Sequence, residues 1–573
     1  MLILILAWIY ISLTCLAWGN IFLNIGSRLI KSTASSLQTE TSIIFLVGLS
    51  VVGCLAMYIS LFLPIDWKVQ LFFLFITLIY YCLPGSGKRI LSQIRYLASS
   101  ITVQGLIFFL LCIFLILLIN SYAVIHPDTL AYHAQAIRWI EDYAATPGIV
   151  HLRRELGFQS VWFILEALFS FRSSNASMIF FVGGAVVAWF LIFMIQKCGT
   201  PFSRNLYSEN KSSGKGWLVL ILLTYSFVSW TQIRLTAASA SPDFITSLYI
   251  LAAVYCFLKA DASSNNQGIY LFISSLFALT AVCIKLSAII IIILPLLSVL
   301  VFAYRRGWRT SLVILSLFLL VCFPLLIRNY FASGWFLFPS RFPDFFNPDW
   351  KFDMNHVVEF QHYINAYARF PVSDSESEKV FSMALREWVL PWWRHLALPD
   401  KAILILLTAL IPANLLFIKQ FKARSSKYLP IVISALLLGI IVWFANAPDP
   451  RFASGFILSL IYCLAIPWQS AFDIFFVNEK RKILVTCLYI FLVGVLSYSV
   501  YRTARFFEPS QIIFPMGIGK TEFTTISCGN LKLNLINQDR DDCGSTPVPC
   551  VRDSCKSYEA RGTRIEDGFR KRN

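Results

Sequence analysis

The segment 126–133 places two histidines, a carboxylate and a phenol close together, in the order His-Pro-Asp-Thr-Leu-Ala-Tyr-His. The proline ends the preceding helix, and Asp128 stands where its side chain could cap the next one. A cap explains the carboxylate but leaves the two histidines unexplained. We therefore predict that Asp128 is a general base that removes a proton from a substrate hydroxyl. The neighbouring His126, Tyr132 and His133 are predicted to bind and orient that substrate.

Four further polar clusters lie at the ends of apolar segments, where a charged group needs a partner or a function. They are Asp243 in Ser-Pro-Asp-Phe, Lys285 in Ile-Lys-Leu-Ser, Arg328 in Arg-Asn-Tyr, and Asp449 with Arg451 in Pro-Asp-Pro-Arg-Phe. Ammonium and guanidinium groups bind phosphate, so we predict that the three basic residues hold an anionic lipid headgroup. The two aspartates are predicted to bind substrate as well.

Each of these four clusters also has a structural interpretation. Asp243 could start a helix, and Lys285 could extend its ammonium group to the membrane surface. Arg328 could belong to an aromatic anchor belt. Asp449 and Arg451 could pair with each other and close a turn.

The composition excludes a water-soluble protein. Of the 573 residues, 57% are hydrophobic and 14% are charged, and the mean hydropathy is +0.69, whereas soluble domains carry about 25% charged residues. A soluble enzyme, a disordered chain and a coiled coil are excluded, and a polytopic membrane protein remains. The formal net charge of +17 fits basic residues retained in cytoplasmic loops, so we expect no nucleic-acid partner.

Fourteen apolar stretches predict membrane spans. They are residues 2–25, 42–63, 67–84, 102–124, 175–196, 216–232, 243–259, 267–283, 286–303, 310–327, 402–419, 429–445, 453–470 and 483–500. With the N-terminus outside, basic groups such as Lys88 with Arg89, or Arg305 with Arg306, fall in inner loops, as the positive-inside rule requires. The first stretch lacks a basic leader, so we interpret it as a span and not as a cleaved signal.

This threading puts all five polar clusters on the outer side of the membrane. The apolar but partly acidic segment 155–172 is interpreted as a helix lying along the outer membrane surface. We predict three parts of the chain: an N-terminal transmembrane extension at 1–101, a transmembrane catalytic module at 102–500 and an extracytoplasmic tail at 501–573.

The polar tail contains four cysteines, Cys528, Cys543, Cys550 and Cys555. Four cysteines in a short polar segment indicate two disulfides in one of three pairings, and the threading places them in an oxidising compartment. Zinc is the alternative, but the spacings between these cysteines include no CxxC pair. The other ten cysteines lie in or beside apolar segments, where thiols act as small apolar groups.

The arrangement of these clusters resembles the GT-C superfamily of integral-membrane glycosyltransferases, and most of all its poorly characterised bacterial members. In that family a catalytic aspartate follows a span in the first outer loop of the module, as Asp128 does, and amphipathic helices follow it. The resemblance covers about residues 102–500. Its later motifs match Pro242-Asp243, Lys285-Leu286-Ser287, the stretch from Arg328 to Pro339, and Pro450-Arg451-Phe452.

The resemblance implies an inverting transfer on the extracytoplasmic side of a bacterial inner membrane. A hydroxyl of a glycan or lipid acceptor would attack the anomeric carbon of a sugar linked to polyprenyl phosphate. The chain departs from the family in two ways: three extra spans precede the catalytic loop, and the usual acidic pair is here a single Asp128. A divalent metal held by His126, Asp128 and His133 is therefore an open alternative, although we favour a base without metal.

The expected fold class is an all-α polytopic membrane protein of about 14 transmembrane helices, GT-C-like, with outer amphipathic helices and a small disulfide-bearing tail.

Two other functions stay open. A transporter or flippase of lipid-linked saccharides would need ionisable residues near span centres and paired broken helices. A polymerase or ligase of surface glycans would use the same outer arginines on a lipid-linked donor but depend less on Asp128.

Overall fold

A computed structural model describes residues 1–32, 40–171, 178–198, 214–262, 266–416, 427–468, 479–536 and 542–572. Most of these residues are helical. The α-helices in the first half of the chain are α1 Leu2–Leu29, α2 Thr41–Ile59, α3 Trp67–Cys82, α4 Ser86–Ser100, α5 Val103–Ser121, α6 Ala134–Asp142, α7 Val161–Leu168, α8 Val182–Cys198, α9 Gly214–Val228 and α10 Asp243–Ala262. Those that follow are α11 Gln267–Ile284, α12 Ile293–Arg306, α13 Trp308–Ser333, α14 Met354–Arg369, α15 Asp374–Phe381, α16 Leu385–His395, α17 Leu398–Leu416, α18 Leu429–Asn446, α19 Pro450–Ala465 and α20 Glu479–Ala504.

Ten helices of the described chain are long and apolar enough to cross a membrane, because a helix satisfies its own backbone polar groups in lipid. They are α1, α2, α5, α10, α11, α12 with the 3₁₀ turn before it, α13, α17, α18 and α19. The bent pair α3 and α4 adds an eleventh candidate. Helices α8, α9 and α20 cover three further predicted spans but fall outside this count. An integral membrane protein with about ten spans is supported, and the figure of fourteen stays a prediction.

The pair α3 and α4 turns through 90° at Gly85. Gly85 has a φ of +84°, a left-handed conformation that glycine adopts without steric strain. Helix α4 carries Lys88, Arg89 and Arg95 and is amphipathic, unlike α3, which is apolar after its first turn. This pattern favours a helix lying at a membrane surface.

The C-terminal tail corrects the expectation of an all-α chain, because it contains short strands. They are β1 Phe523–Cys528, β2 Leu531–Ile536, β3 Cys550–Val551, β4 Tyr558–Ala560 and β5 Phe569–Lys571. Strand β2 pairs antiparallel with β1 and parallel with β3, and β4 pairs antiparallel with β5. The prediction of two disulfides is confirmed, and the pairing is Cys528 with Cys555 and Cys543 with Cys550.

The tail packs against the segment that follows α5, at one end of the helical bundle. The Gly517 carbonyl accepts a hydrogen bond from Val124 N at 3.1 Å, and the Leu130 carbonyl accepts one from Gly544 N at 2.8 Å. The amino group of Met1 also donates to the Gln511 carbonyl at 2.7 Å. The N-terminus, the predicted catalytic segment and the tail therefore share one end, as the threading requires.

The opposite end of the bundle carries basic residues near helix termini. Lys197 Nζ lies 3.0 Å from Glu40 Oε1, and Arg306 Nη1 lies 2.8 Å from the Ile30 carbonyl oxygen. Several other basic residues assigned to inner loops, among them Arg204, Lys211, Lys419, Lys422 and Arg424, lie outside the described residues.

The prediction of a surface helix at 155–172 is wrong. Every residue of α7 is buried, and the helix packs between α2, α6 and α11. The two polar residues just before it find partners inside the protein: Ser160 Oγ donates to the Ile284 carbonyl at 2.7 Å, and Gln159 accepts from Arg328 at 2.7 Å. Burial raises the pKa of Glu166 to about 8, a shift partly countered by backbone N–H groups at the start of α8.

One hydrophobic core runs through the described part of the chain. It joins buried residues of α1 and α2 to those of the later helices and reaches Phe569 in the tail. The division at residues 101 and 500 stays a prediction.

Candidate active site

Arg451 connects three aspartates that come from distant parts of the sequence. Its Nε lies 2.8 Å from Asp449 Oδ2 and 4.0 Å from Asp243 Oδ2, and its Nη1 lies 3.3 Å from Asp128 Oδ2. Lys285 forms an ion pair with the other oxygen of Asp243. Three predicted clusters and the Asp128 segment thus meet in one group of charges, which we call the charged cluster. Asp128 and Arg451 are 323 residues apart in the chain.

Phe452 lies against both cations of the charged cluster. Its ring centroid is 3.8 Å from Lys285 Nζ and 4.9 Å from Arg451 Cζ. An aromatic face attracts a cation at this distance and limits where the cation can move. Phe452 was not among the predicted site residues; the signal in the sequence is an aromatic residue directly after an outer arginine.

Helix termini position the charged side chains. Asp449 caps α19, because its Oδ1 accepts a hydrogen bond from Arg451 N at 3.0 Å, and Pro450 occupies the first turn. Asp243 is the first residue of α10, and Lys285 is the residue that ends α11. The structural interpretation of the Asp449–Arg451 pair is therefore correct, and the same pair also holds the guanidinium next to Asp128.

The segment around Asp128 forms the predicted helix but caps it differently. A π-helical turn at Thr129–His133 leads into α6, and the Asp128 side chain makes no capping hydrogen bond. His126 Nδ1 instead accepts from Thr129 N at 3.4 Å. Since the imidazole takes the capping position, the Asp128 carboxylate is left to face Arg451.

The two histidines are buried beneath this turn. The ring centroids of His126 and His133 are 5.7 Å apart, and His133 Nδ1 lies 3.0 Å from Thr129 Oγ1. Burial lowers the pKa of His126 more than the nearby Asp128 charge raises it, and burial also lowers the pKa of His133. Burial raises the pKa of Tyr132, so the phenol keeps its proton. All three side chains are therefore neutral at pH 7.

Asp128 is the most accessible acid of the charged cluster. Its side chain is 36% exposed, compared with 5% for Asp243. Two donors remain for a ligand: Arg451 Nη2, which has no partner among the described residues, and the N–H groups of Lys285 that do not bind Asp243. An incoming anion can therefore be bound without breaking the existing ion pairs.

Arg328 does not join the charged cluster, contrary to the prediction that three cations converge. Its Nε donates to Gln159 Oε1 at 2.7 Å, and its Nη1 donates to the carbonyl and hydroxyl oxygens of Ser60 at 2.9 and 3.0 Å. The side chain is buried and has no carboxylate partner in the described part of the chain. Arg328 and Lys285 both lie at the end of a predicted span, so their sequence signals are the same. In the fold, however, Arg328 binds Ser60, at the end of α2, and Gln159, before α7.

A fourth aspartate beside the charged cluster was missed. Asp400 at the start of α17 accepts a hydrogen bond from Tyr225 Oη at 2.8 Å and lies near enough to Asp449 for their charges to interact. The available signal was the dipeptide Pro399-Asp400, which matches the Pro-Asp of the Asp128, Asp243 and Asp449 clusters.

The alternative of a divalent metal gains no support from the geometry. Among the described residues no group of three or more His, Cys, Asp or Glu side chains is arranged to hold a metal ion. The His126 and His133 nitrogens that face Thr129 are already engaged in the helical turn.

Comparisons with known proteins identify one family. A family model described as "Domain of unknown function (DUF8201)" matches residues 1–458, which is more than three quarters of the chain and includes every member of the charged cluster. No curated protein and no solved structure matches the sequence.

Proposed function

This chain belongs to the family described as Domain of unknown function (DUF8201), and we propose that it is an integral-membrane glycosyltransferase. It would move a sugar from a polyprenyl-phosphate donor to an acceptor hydroxyl. The observation that carries this proposal is the charged cluster itself. An accessible carboxylate stands 3.3 Å from a guanidinium that keeps a free donor, with a second cation beside it.

The proposed reaction is a single displacement. As the acceptor oxygen bonds to the anomeric carbon of the sugar, Asp128 accepts the proton of that hydroxyl. The bond between the anomeric carbon and the donor phosphate oxygen breaks, and the phosphate keeps the electron pair. Lys285 and Arg451 stabilise the negative charge that grows on the leaving phosphate. Attack opposite the leaving group inverts the anomeric centre.

The remaining members of the cluster position these three groups. Asp243 holds Lys285, Asp449 holds Arg451, and Phe452 supports both cations from one side. The neutral His126, Tyr132 and His133 form the wall behind Asp128, so they would shape the substrate site without adding charge. Arg328 is left out of the proposed phosphate site.

We place the reaction on the extracytoplasmic face of a bacterial inner membrane. The support is the set of basic residues at helix ends opposite the charged cluster, among them Lys197 and Arg306, because cytoplasmic loops retain basic residues. The two disulfides in the tail, which packs beside Asp128, also favour an oxidising compartment. The acceptor would be a glycan or a lipid, with membrane lipids as the surrounding partner.

Substitution of the base tests the proposal directly. Purified protein in liposomes would be given radiolabelled hexoses and pentoses linked to polyprenyl phosphate, and release of polyprenyl phosphate would be measured. We expect Asp128→Asn to lower the rate at least about 100-fold, the usual effect of losing a general base. Glu359→Gln, an exposed change on α14, should leave the rate unchanged. If Asp128→Asn keeps the wild-type rate, Asp128 is not the general base.

The same liposomes separate transfer from transport. A flippase would move the intact donor between leaflets without cleaving the bond between sugar and phosphate. Lipid extracted from the opposite leaflet with the sugar still attached, and no released polyprenyl phosphate, would favour the transporter. A surface-glycan polymerase or ligase would release the lipid carrier but should be less sensitive to Asp128→Asn.

A further inference from the structure

A second basic group lies at the same end of the bundle as the charged cluster. It is formed by Arg234, in the π-helical turn Trp230–Arg234 before α10, and Arg502, near the end of α20. Arg234 Nη2 donates to Ser499 Oγ at 3.0 Å. Ser499 and Arg502 are three residues apart on one helix and therefore share a face. The two guanidinium groups are thus held near each other.

Neither arginine has a carboxylate partner among the residues that the structure describes. Within the described residues, the one hydrogen-bond partner of the Arg234 side chain is Ser499. Burial lowers the pKa of Arg234, and the positive charge of Arg502 lowers it further. Two cations held together without an acid leave a positive charge that a bound anion would neutralise.

The surroundings of the pair match the membrane interface. Trp230, Tyr498 and Tyr501 are 52%, 63% and 65% exposed. Tryptophan and tyrosine concentrate where lipid headgroups meet the hydrocarbon, and arginine at a helix end reaches the same depth. An anion bound here would lie beside exposed aromatic side chains. A lipid can pack its apolar part against them, whereas an inorganic ion has no apolar part.

We propose that Arg234 and Arg502 bind the phosphate of an anionic phospholipid in the leaflet next to the charged cluster. The exposed rings of Trp230, Tyr498 and Tyr501 would pack beside its glycerol and upper chains. This site is separate from the charged cluster, and the inference does not depend on the proposed function.

The bound lipid would also steady the wall of the candidate active site. Gln232, in the same π-helical turn as Arg234, donates through Nε2 to Ser454 Oγ at 3.0 Å. Ser454 lies one turn after Arg451 on α19. A phosphate that fixes Arg234 therefore limits the movement of a turn that touches the helix carrying Arg451.

Lipid titration of the full chain in a neutral detergent tests this proposal. Dioleoyl-phosphatidylglycerol would be added and its retention followed by native mass spectrometry. We expect Arg502→Gln to weaken retention about fivefold and the double change Arg234→Gln/Arg502→Gln to weaken it about 25-fold, since each basic contact at a membrane surface contributes about that factor. Arg386→Gln, an exposed change on α16, is the matched control and should bind like the wild type.

Two further arms decide the result. Arg502 is exposed and makes no side-chain hydrogen bond within the described residues, so its single substitution should fold normally and keeps the test decisive if the double variant does not. Glycerol phosphate at 10-fold excess should fail to displace the lipid. Wild-type retention by Arg502→Gln, or full displacement by glycerol phosphate, would overturn the lipid site.

Discussion

At the scale of single residues, the geometry of Arg451 explains why an arginine stands at the centre of the charged cluster. Its planar group contacts Asp449 through Nε and Asp128 through Nη1 at the same time. A lysine ammonium is a point charge on a flexible stem and does not reproduce that pair of contacts.

We therefore expect Arg451→Lys to lower the transfer rate about 10- to 100-fold while the protein still folds, because the positive charge is kept but Asp128 loses its fixed partner. The measurement is the liposome transfer assay, with the unfolding midpoint as a check on folding. Arg386→Lys serves as the control. An unchanged rate would mean that charge alone is sufficient at this position.

The residue types of the cluster were readable from the sequence, but their convergence was not. Asp128, Asp243, Lys285, Asp449 and Arg451 were each singled out by charge at the edge of an apolar stretch. Their contacts arise only when distant helices pack, so no local spacing encodes them. Arg328 has the same local signal, yet its side chain lies outside the charged cluster, against Ser60 and Gln159.

A partly buried histidine, His151, gives the outer region a pH-dependent stability. His151 Nε2 donates to the Trp350 carbonyl at 3.1 Å, and burial lowers the pKa of this imidazole to about 4, from about 6.5 in an unfolded chain. Below pH 6.5 the unfolded state binds a proton that the folded state excludes, so stability falls as the pH drops from about 6.5 to about 4.

His151→Gln should remove part of this loss, because the amide can still donate to the carbonyl but does not titrate. Unfolding midpoints measured at pH 7.5 and pH 5 would be compared for the two proteins. The exposed His395→Gln variant should behave like the wild type. A fall in midpoint that is identical in all three proteins would assign the pH effect to other groups.

At the scale of elements, the tail holds the segment that carries Asp128. Gly544 donates to the Leu130 carbonyl, and the Thr546 carbonyl accepts from Gln135 Nε2 at 2.7 Å. Both Gly544 and Thr546 lie in the loop closed by the disulfide between Cys543 and Cys550. The sequence predicted these disulfides, but it did not indicate that one of them braces the candidate active site.

Replacing Cys543 and Cys550 together by serine should destabilise the protein by about 2 kcal/mol, the value for closing a loop of this length. We also expect a lower transfer rate, since Leu130 and Gln135 lose a rigid support beside Asp128. Replacing Cys528 and Cys555, which close a different and longer loop, gives the comparison. Equal losses of rate in the two double variants would argue against a specific brace.

The segment 155–172 shows how packing decides where an apolar stretch lies. An apolar segment with a few polar groups predicts an interfacial helix only if those groups reach water. The polar side chains just before α7 bond to protein groups instead: Ser160 donates to the Ile284 carbonyl, and Gln159 accepts from Arg328. Whether a polar group meets water or protein is decided by neighbours that the local sequence does not contain.

At the scale of the whole molecule, the orientation in the membrane decides which compartment supplies the substrate. The N-terminus, the charged cluster and the tail share one end of the bundle, so a single orientation places them all. Basic residues at the other end of the described bundle, such as Lys197 and Arg306, predict that this shared end lies outside the cytoplasm.

Thiol labelling on intact cells tests this orientation. In a background where the exposed Cys82 and Cys487 are serine, we expect a membrane-impermeant maleimide to label Ser382→Cys, on the exposed outer segment, without permeabilisation. Lys88→Cys, at the start of α4, should react only after the membrane is opened. Because both positions are exposed in the fold, the difference between them reports the membrane barrier and not burial. The reverse labelling pattern would place Asp128 and the disulfides in the reducing cytoplasm and so contradict an extracytoplasmic reaction.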